Sequence, residues 1–383
     1  MTKIAVICGG TAGVGRAVLD ALLARGHRVA VLARGQGRLD ELSRQFGDRV
    51  WTRSVDVADH SAIDSAARDI ARDLGAPEIW VNCAMVTSIS PFRKMEPDEF
   101  RRIIDVTFMG QVNGTRAALA VMERGNVVNV GSGLSYHSVP YQSAYCAAKH
   151  AINGFTQSVR MEVMREERPI ELSLVQLPAI NTPQFDWARN RMSRRPQPVP
   201  PIFQPELAAR AVLRAIDTDA REVLVGRSVL QLVFGNYLLP DYIDHKLSET
   251  GVEMQRSDEP DFGRPDYVFE PVEGPSRAHG SFDDRAEDGG VIVDADRTRK
   301  GLAIGGALAL FGLGLLVGAK GRGTRRPAPR LNPEDRQAAF EPREHDAGHL
   351  EAPEPGTREE RADIAWGEAR LPQGSTDAQM RRG

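Results

Sequence analysis

"KIAVICGGTAGVGRAVLDALLARGHRVAVLAR", residues 3–34, opens the chain and sets its architecture. An apolar run ahead of a glycine-rich turn predicts a buried strand. Val18, Leu19, Leu22 and Leu23 then recur at helical spacing, Gly26 stops the helix, and "HRVAVLAR" predicts a second strand. Such a βαβ unit implies an α/β fold with a doubly wound parallel sheet. Gly9, Gly13 and Gly15 fall at the strand-to-helix junction. There glycine lets the backbone turn tightly and approach a pyrophosphate held at the helix N-terminus. The spacing is Gly-x-x-x-Gly-x-Gly, not the Gly-x-Gly-x-x-Gly of many dinucleotide sites.

A second stretch carries the chemistry. In "YQSAYCAAKH", residues 141–150, Tyr145 precedes Lys149 by one helical turn, so phenol and ammonium share a helix face. A nearby cation favours phenolate and is expected to pull the tyrosine towards the range where it exchanges protons with a substrate.

Together these stretches resemble the short-chain dehydrogenase/reductase family, classical type, over roughly residues 2 to 230. The resemblance implies a Rossmann-like sheet. The family's opening motif matches Gly9 to Gly15, with Cys8 where a threonine usually leads, and implies cofactor contacts from Gly9, Thr11, Gly13, Val14 and Gly15. Its acidic adenine-binding residue matches Asp56 in "SVDVAD", followed by Val57. The Asn-Asn-Ala-Gly motif appears as "NCAM", in which Asn82 and Ala84 match while Cys83 and Met85 depart. "VVNVGSG" puts Ser132 thirteen residues before Tyr145, the family's usual separation. "LPAINT" keeps Pro178 and Thr182, with Ala179 in place of glycine, and Thr182 lies where the family contacts the nicotinamide carboxamide.

By this resemblance Tyr145 is the proton donor, Ser132 orients the same substrate oxygen, and Lys149 holds the nicotinamide ribose while lowering the tyrosine pKa. Thr107, in "IDVTFMG", stands where the family carries an asparagine that helps hold a relay water. A threonine hydroxyl can donate and accept, so Thr107 either still orients a water or is simply a helix residue. The implied activity is hydride transfer between nicotinamide and the carbonyl or alcohol of a small, apolar substrate. A non-catalytic nucleotide sensor or scaffold of the same fold is the competing class, and the intact Ser132, Tyr145 and Lys149 argue against it. An extended-branch epimerase or dehydratase is disfavoured by the glycine spacing and by the lack of a sizeable C-terminal substrate domain.

Arg34 ends the second strand, where a carboxylate would bind a ribose 2′-hydroxyl and an arginine suits a 2′-phosphate, so NADP is the expected cofactor. "PQFDWARNRMSRRPQPVPPIF" occupies the family's substrate lid. Phe185 and Trp187 are expected to cover an apolar substrate, and Arg189, Arg191, Arg194 and Arg195 to make one edge basic enough to touch a membrane.

Composition bounds the rest. The 383 residues are 41% apolar with a net charge of −3, enough for a real core and too acidic for a general nucleic-acid binder. Cys8, Cys83 and Cys146 are far apart and lack metal spacing, so no metal site is expected and a reducing compartment fits. No repeat or signal peptide is evident. The expected layout is a catalytic domain over 1–250, a polar linker over 251–300, a transmembrane helix over 301–319 and a disordered tail over 320–383. Residues 301–319 carry no charge and, at about 1.5 Å per residue, are long enough to cross a bilayer core of about 30 Å. Gly301 with Gly305 and Gly314 with Gly318 are GxxxG pairs that allow close helix association. The enzyme is therefore expected as a single-pass membrane protein with its catalytic domain in the cytoplasm, and as a homo-oligomer.

Overall fold

Strand β1 (Ile4–Cys8) is apolar at every position because both of its faces are covered. Ala5 and Ile7 point into one hydrophobic core while Val6 and Cys8 point into another. In this computed structural model, which describes residues 2–296 and 298, the same alternation continues along β2 (Arg28–Ala33). Val29 and Val31 join the first core, Ala30 and Leu32 the second.

Five further strands, β3 (Val50–Ser54), β4 (Ile79–Asn82), β5 (Gly125–Ser132), β6 (Ile170–Leu177) and β7 (Glu222–Val225), complete a parallel array ordered β7-β6-β5-β4-β1-β2-β3. The first core is roofed by α1 (Gly13–Ala24), α2 (Gln36–Phe46) and α7 (Pro205–Thr218); the second by α3 (His60–Asp73), α5 (Gly110–Val121) and α6 (Ser143–Arg165). Val18, Leu19, Leu22 and Leu23 form the buried stripe of α1 that their spacing predicts. A helix α4 (Pro97–Ile104) runs into α5 through a π-helical turn, Asp105–Met109. Because β1 pairs with β2 on one side and β4 on the other, the winding reverses at β1. A crevice opens at the C-terminal ends of such strands.

The polar segment expected to be a linker over 251–300 instead stays on the domain as far as it is described. Arg256–Pro260 pairs antiparallel with Arg194–Pro196, and Ala286–Glu287 pairs parallel with Ile202–Phe203. Ile292–Asp294 forms β8, an antiparallel eighth strand on the free edge of β7. A linker reading rests on low hydropathy, yet backbone pairing needs none, and two of its apolar residues, Tyr267 and Val268, are buried while Phe262 and Phe269 stay exposed. The expected helix 301–319 and tail 320–383 lie outside the described residues. Among the described residues no helix is long and apolar enough to cross a membrane.

Candidate active site

The glycine turn between β1 and α1 is as tight as its composition predicts. Gly9 has φ +91°, and a Cβ there would lie 2.7 Å from the backbone of Ala84. Gly13 has φ +56° and packs against Thr182. At Gly15 a Cβ would sit 2.1 Å from the carbonyl oxygen of Gly9, so only glycine lets α1 start this close to the strand. The N–H groups of Val14 and Gly15 at the start of α1 have no acceptor among the described residues. This cradle fits the pyrophosphate of a dinucleotide: bare backbone, a helix N-terminus and free donors.

One cleft of about 1230 Å³ of empty space, part of it open to solvent, gathers most of the residues singled out in the sequence. Gly9, Thr11, Gly13, Val14, Gly15, Arg34, Asp56, Val57, Ala84, Ser132, Tyr145, Lys149 and Thr182 all line it. Ser132 ends β5, with its N–H held at 2.9 Å by Gln176 Oε1 and its Oγ accepting from the N–H of Leu134 at 3.1 Å. The Ser132 hydroxyl proton is thus left to donate. Tyr145 and Lys149 follow on the first two turns of α6. Lys149 is buried, donates to Val130 O at 2.7 Å, and holds Nζ 5.6 Å from the Tyr145 ring centroid.

The electrostatics differ from the sequence expectation. Burial pushes the Tyr145 phenol above its ordinary range, with the Ser132 hydroxyl pulling it partly back. Burial also lowers Lys149 to about 8. Desolvation outweighs the expected cation effect because each group loses water and the ammonium is already engaged with a carbonyl. The outcome is a tyrosine that keeps its proton at neutral pH, backed by a lysine able to exchange one.

Two expected site residues lie behind the cleft. Asn82 is buried, accepting from Trp80 Nε1 at 2.9 Å and donating to Asn129 Oδ1 at 2.9 Å and Thr115 Oγ1 at 3.2 Å; it ties β4 to β5 and α5. Thr107 is fully buried in the π-helical turn, where its hydroxyl donates to Val86 O at 2.8 Å and accepts from Val86 N–H at 3.1 Å. Its only proton is therefore spent on the backbone after β4, which closes the reading in which that proton orients a water. Asp56 accepts from Arg102 and from the N–H of Ala58. Arg34 donates to the main-chain carbonyls of Phe269 and Tyr267.

The lid is less basic than expected, because three of its four arginines are paired with carboxylates. Arg189 meets Asp266 at 2.8 Å, Arg191 meets the buried Glu99 at 2.7 Å, Arg195 meets Glu259 at 2.8 Å, and Arg194 donates to Asp258 O. Trp187 lines the cleft under the Arg38 guanidinium, 4.6 Å from the ring centroid, while Phe185 packs edge-on against Phe282.

Several residues of the site escaped the sequence reading. Cys83 donates to Cys8 O at 3.4 Å, fastening β4 to the glycine turn, and burial pushes its thiol up to about 12. Arg38, Met85, Val106, Tyr267, Pro271 and Val272 complete the wall. Arg38, four residues past Arg34 in "ARGQGR", is the alternative phosphate holder that the sequence already offers; the last three, from a distant polar segment, had no signal.

Comparison with known proteins agrees with this geometry. Residues 3–192 match the family profile of short chain dehydrogenases. A Mycobacterium tuberculosis protein named as an oxidoreductase, SadH, is 30% identical over 237 residues, 58% of this chain and 86% of SadH. The Bacillus subtilis protein YxnA, also named as an oxidoreductase, is 27% identical over 67% of this chain and 75% of its own. A solved short-chain dehydrogenase from Streptomyces avermitilis superposes with a TM-score of 0.56 at 27% identity, covering 66% of this chain and 97% of that one. With the glycine cradle, Ser132, Tyr145 and Lys149 on one cleft, the chain belongs to the short-chain dehydrogenase/reductase family of NAD(P)-dependent oxidoreductases.

Proposed function

We propose that this protein is an NADP-dependent reductase or alcohol dehydrogenase acting on the carbonyl or hydroxyl of a small, apolar compound. The observation that carries the reading is the convergence of Ser132, Tyr145 and Lys149 on the cleft that also holds the glycine cradle and Thr182. When bound, the nicotinamide donates or accepts the hydride. Carbonyl reduction leaves charge on oxygen, which a donor must meet and a proton must then quench. Ser132 offers its hydroxyl proton as a hydrogen bond to that oxygen. Tyr145, kept protonated by burial, gives its proton to the same oxygen and is recharged through Lys149. Thr182 and Ala84 bound the nicotinamide end, and Asp56 with Val57 the adenine end.

Arg34 and Arg38 support NADP over NAD, since two guanidinium groups line the adenosine half of the cleft and would attract a 2′-phosphate. Met85 and Val86 give the substrate end an apolar lining. For location, the nineteen uncharged residues 301–319 support a membrane tether, with the catalytic domain on the cytoplasmic side where reduced NADP is available. The test is Tyr145→Phe in the full-length protein with a panel of ketones and aldehydes. Turnover is expected to fall at least a hundredfold while fluorescence titration still detects bound NADPH. More than about a tenth of wild-type turnover would overturn the assignment.

A further inference from the structure

After Asp266 the chain turns back over the mouth of the cleft, and its main-chain carbonyls meet one arginine after another. Tyr267 O and Phe269 O accept from the two terminal nitrogens of Arg34 at 2.6 and 2.8 Å. Val268 O accepts from Nε of Arg102 at 3.1 Å, and Val272 O accepts from Arg38. Every arginine at the adenosine end is thus held by one stretch of six residues, 267–272. The stretch is itself anchored at both ends. Tyr267 is buried, its N–H donates to Trp187 O at 3.1 Å, and its hydroxyl accepts from the N–H of Thr87 at 3.1 Å. Further on, Ser276 Oγ donates to Thr11 O at 2.8 Å and accepts from Arg16 at 2.8 Å, while Arg277 O accepts from Gly13 N–H at 2.9 Å.

These carbonyls either compete with a phosphate for Arg34 or aim Arg34 at it, and the charge count favours aiming. A guanidinium has five N–H donors, of which the strap takes two. Both acceptors are neutral carbonyls; of the carboxylates near Arg34, Asp56 is paired with Arg102 and Glu270 of the strap is exposed and screened by water, so a guanidinium charge remains for an anion. A phosphate oxygen makes a charge-assisted bond roughly twice as strong as a neutral one and still finds free donors. A free arginine side chain would have to give up rotamer freedom on clasping a phosphate, and the strap removes much of that freedom beforehand.

We propose that residues 267–272 are positioning residues of the cofactor site, which hold Arg34 ready for a 2′-phosphate, with Tyr267 as their anchor. This rests on the NADP reading above. The test is direct binding of NADPH and NADH to the full-length protein, followed by cofactor fluorescence, for wild type, Tyr267→Ala, Tyr267→Phe and Arg34→Ala. Tyr267→Ala is expected to weaken NADPH at least tenfold and NADH less than about threefold. Tyr267→Phe, which keeps the ring and loses the hydroxyl's bonds to Thr87 N–H and Met85 Sδ, should retain most of the preference. A merely structural loss would weaken both cofactors alike and so overturn the proposal. Tighter NADPH binding by Tyr267→Ala would also overturn it, because the strap would then be a competitor. If wild type binds NADPH no more tightly than NADH, the NADP reading itself fails; if it prefers NADPH and Arg34→Ala leaves that preference unchanged, the phosphate is held elsewhere and the strap proposal fails. If Arg34→Ala weakens NADPH and Tyr267→Ala does not, only the strap proposal fails. Should Tyr267→Ala not fold, Ser276→Ala loosens the other anchor and is expected to shift the NADPH-to-NADH ratio in the same direction by about threefold; an unchanged ratio counts against the proposal.

Discussion

Replacing Gly15 by alanine adds one methyl at the tightest point of the cofactor turn. Its Cβ would lie 2.1 Å from the Gly9 oxygen and 2.8 Å from both Gly9 C and Cys83 Sγ. Ordinary carbon–oxygen contacts begin at about 3.3 Å, so the Gly9 carbonyl would have to retreat by about 1 Å. It has little room, since Gly9 N–H is held by Leu32 O at 2.7 Å and Ala84 packs close against Gly9. Overpacking of this kind costs about 1–3 kcal/mol, which in a domain of this size lowers Tm by between about 2 and 12 °C. The same displacement moves the Val14 and Gly15 N–H groups off the pyrophosphate, and a tenfold loss of cofactor affinity corresponds to about 1.4 kcal/mol. Gly154→Ala is the matched control. Gly154 lies exposed within α6, and an added Cβ meets nothing within 4 Å, so the substitution should stabilise by about 0.5–1 kcal/mol through helix propensity. Thermal unfolding without cofactor, and cofactor titration by fluorescence, read both effects. The reasoning is refuted if both variants move Tm in the same direction, or if Gly15→Ala binds cofactor as wild type does.

Lys149→Met isolates the pH dependence of the buried lysine. A lysine lowered to about 8 in the folded protein and near its ordinary 10.5 when unfolded binds fewer protons folded than unfolded between those values. Wild type should therefore gain stability relative to Lys149→Met as pH rises from about 8 to about 10.5, by up to about 3 kcal/mol; a flat difference in denaturant titrations across that range would contradict it. Thr107→Val strips both backbone bonds from Val86 and should cost about 1–3 kcal/mol, whereas Thr107→Ser should cost less than half as much in the same denaturant assay. Deleting 301–383 should leave the domain folded, while deleting 291–383 removes β8 and should lower Tm by several degrees; equal melting of the two would show that β8 contributes nothing.

The βαβ start, the parallel sheet and the Ser132, Tyr145 and Lys149 set were legible in the sequence because each leaves a local signature. Glycines mark the turn, apolar runs the doubly buried strands, and spacing the helix face. Asn82 and Thr107 were harder to assign, since a motif position tells which residue stands there but not whether it faces the cleft or the core. The strap was invisible for a different reason. It acts through main-chain carbonyls, which every residue carries, and β8 offers only three residues, "IVD", to a reader of periodicity. Low hydropathy made the whole segment look like a linker.

The strap also sets an order in time. Arg16 and Ser276 are 260 residues apart in the chain. On a ribosome adding about 5–20 residues per second, the glycine turn emerges roughly 10 to 50 s before the residues that will close over it are made. During synthesis the glycine turn therefore stays uncovered until residues 267–277 have been made.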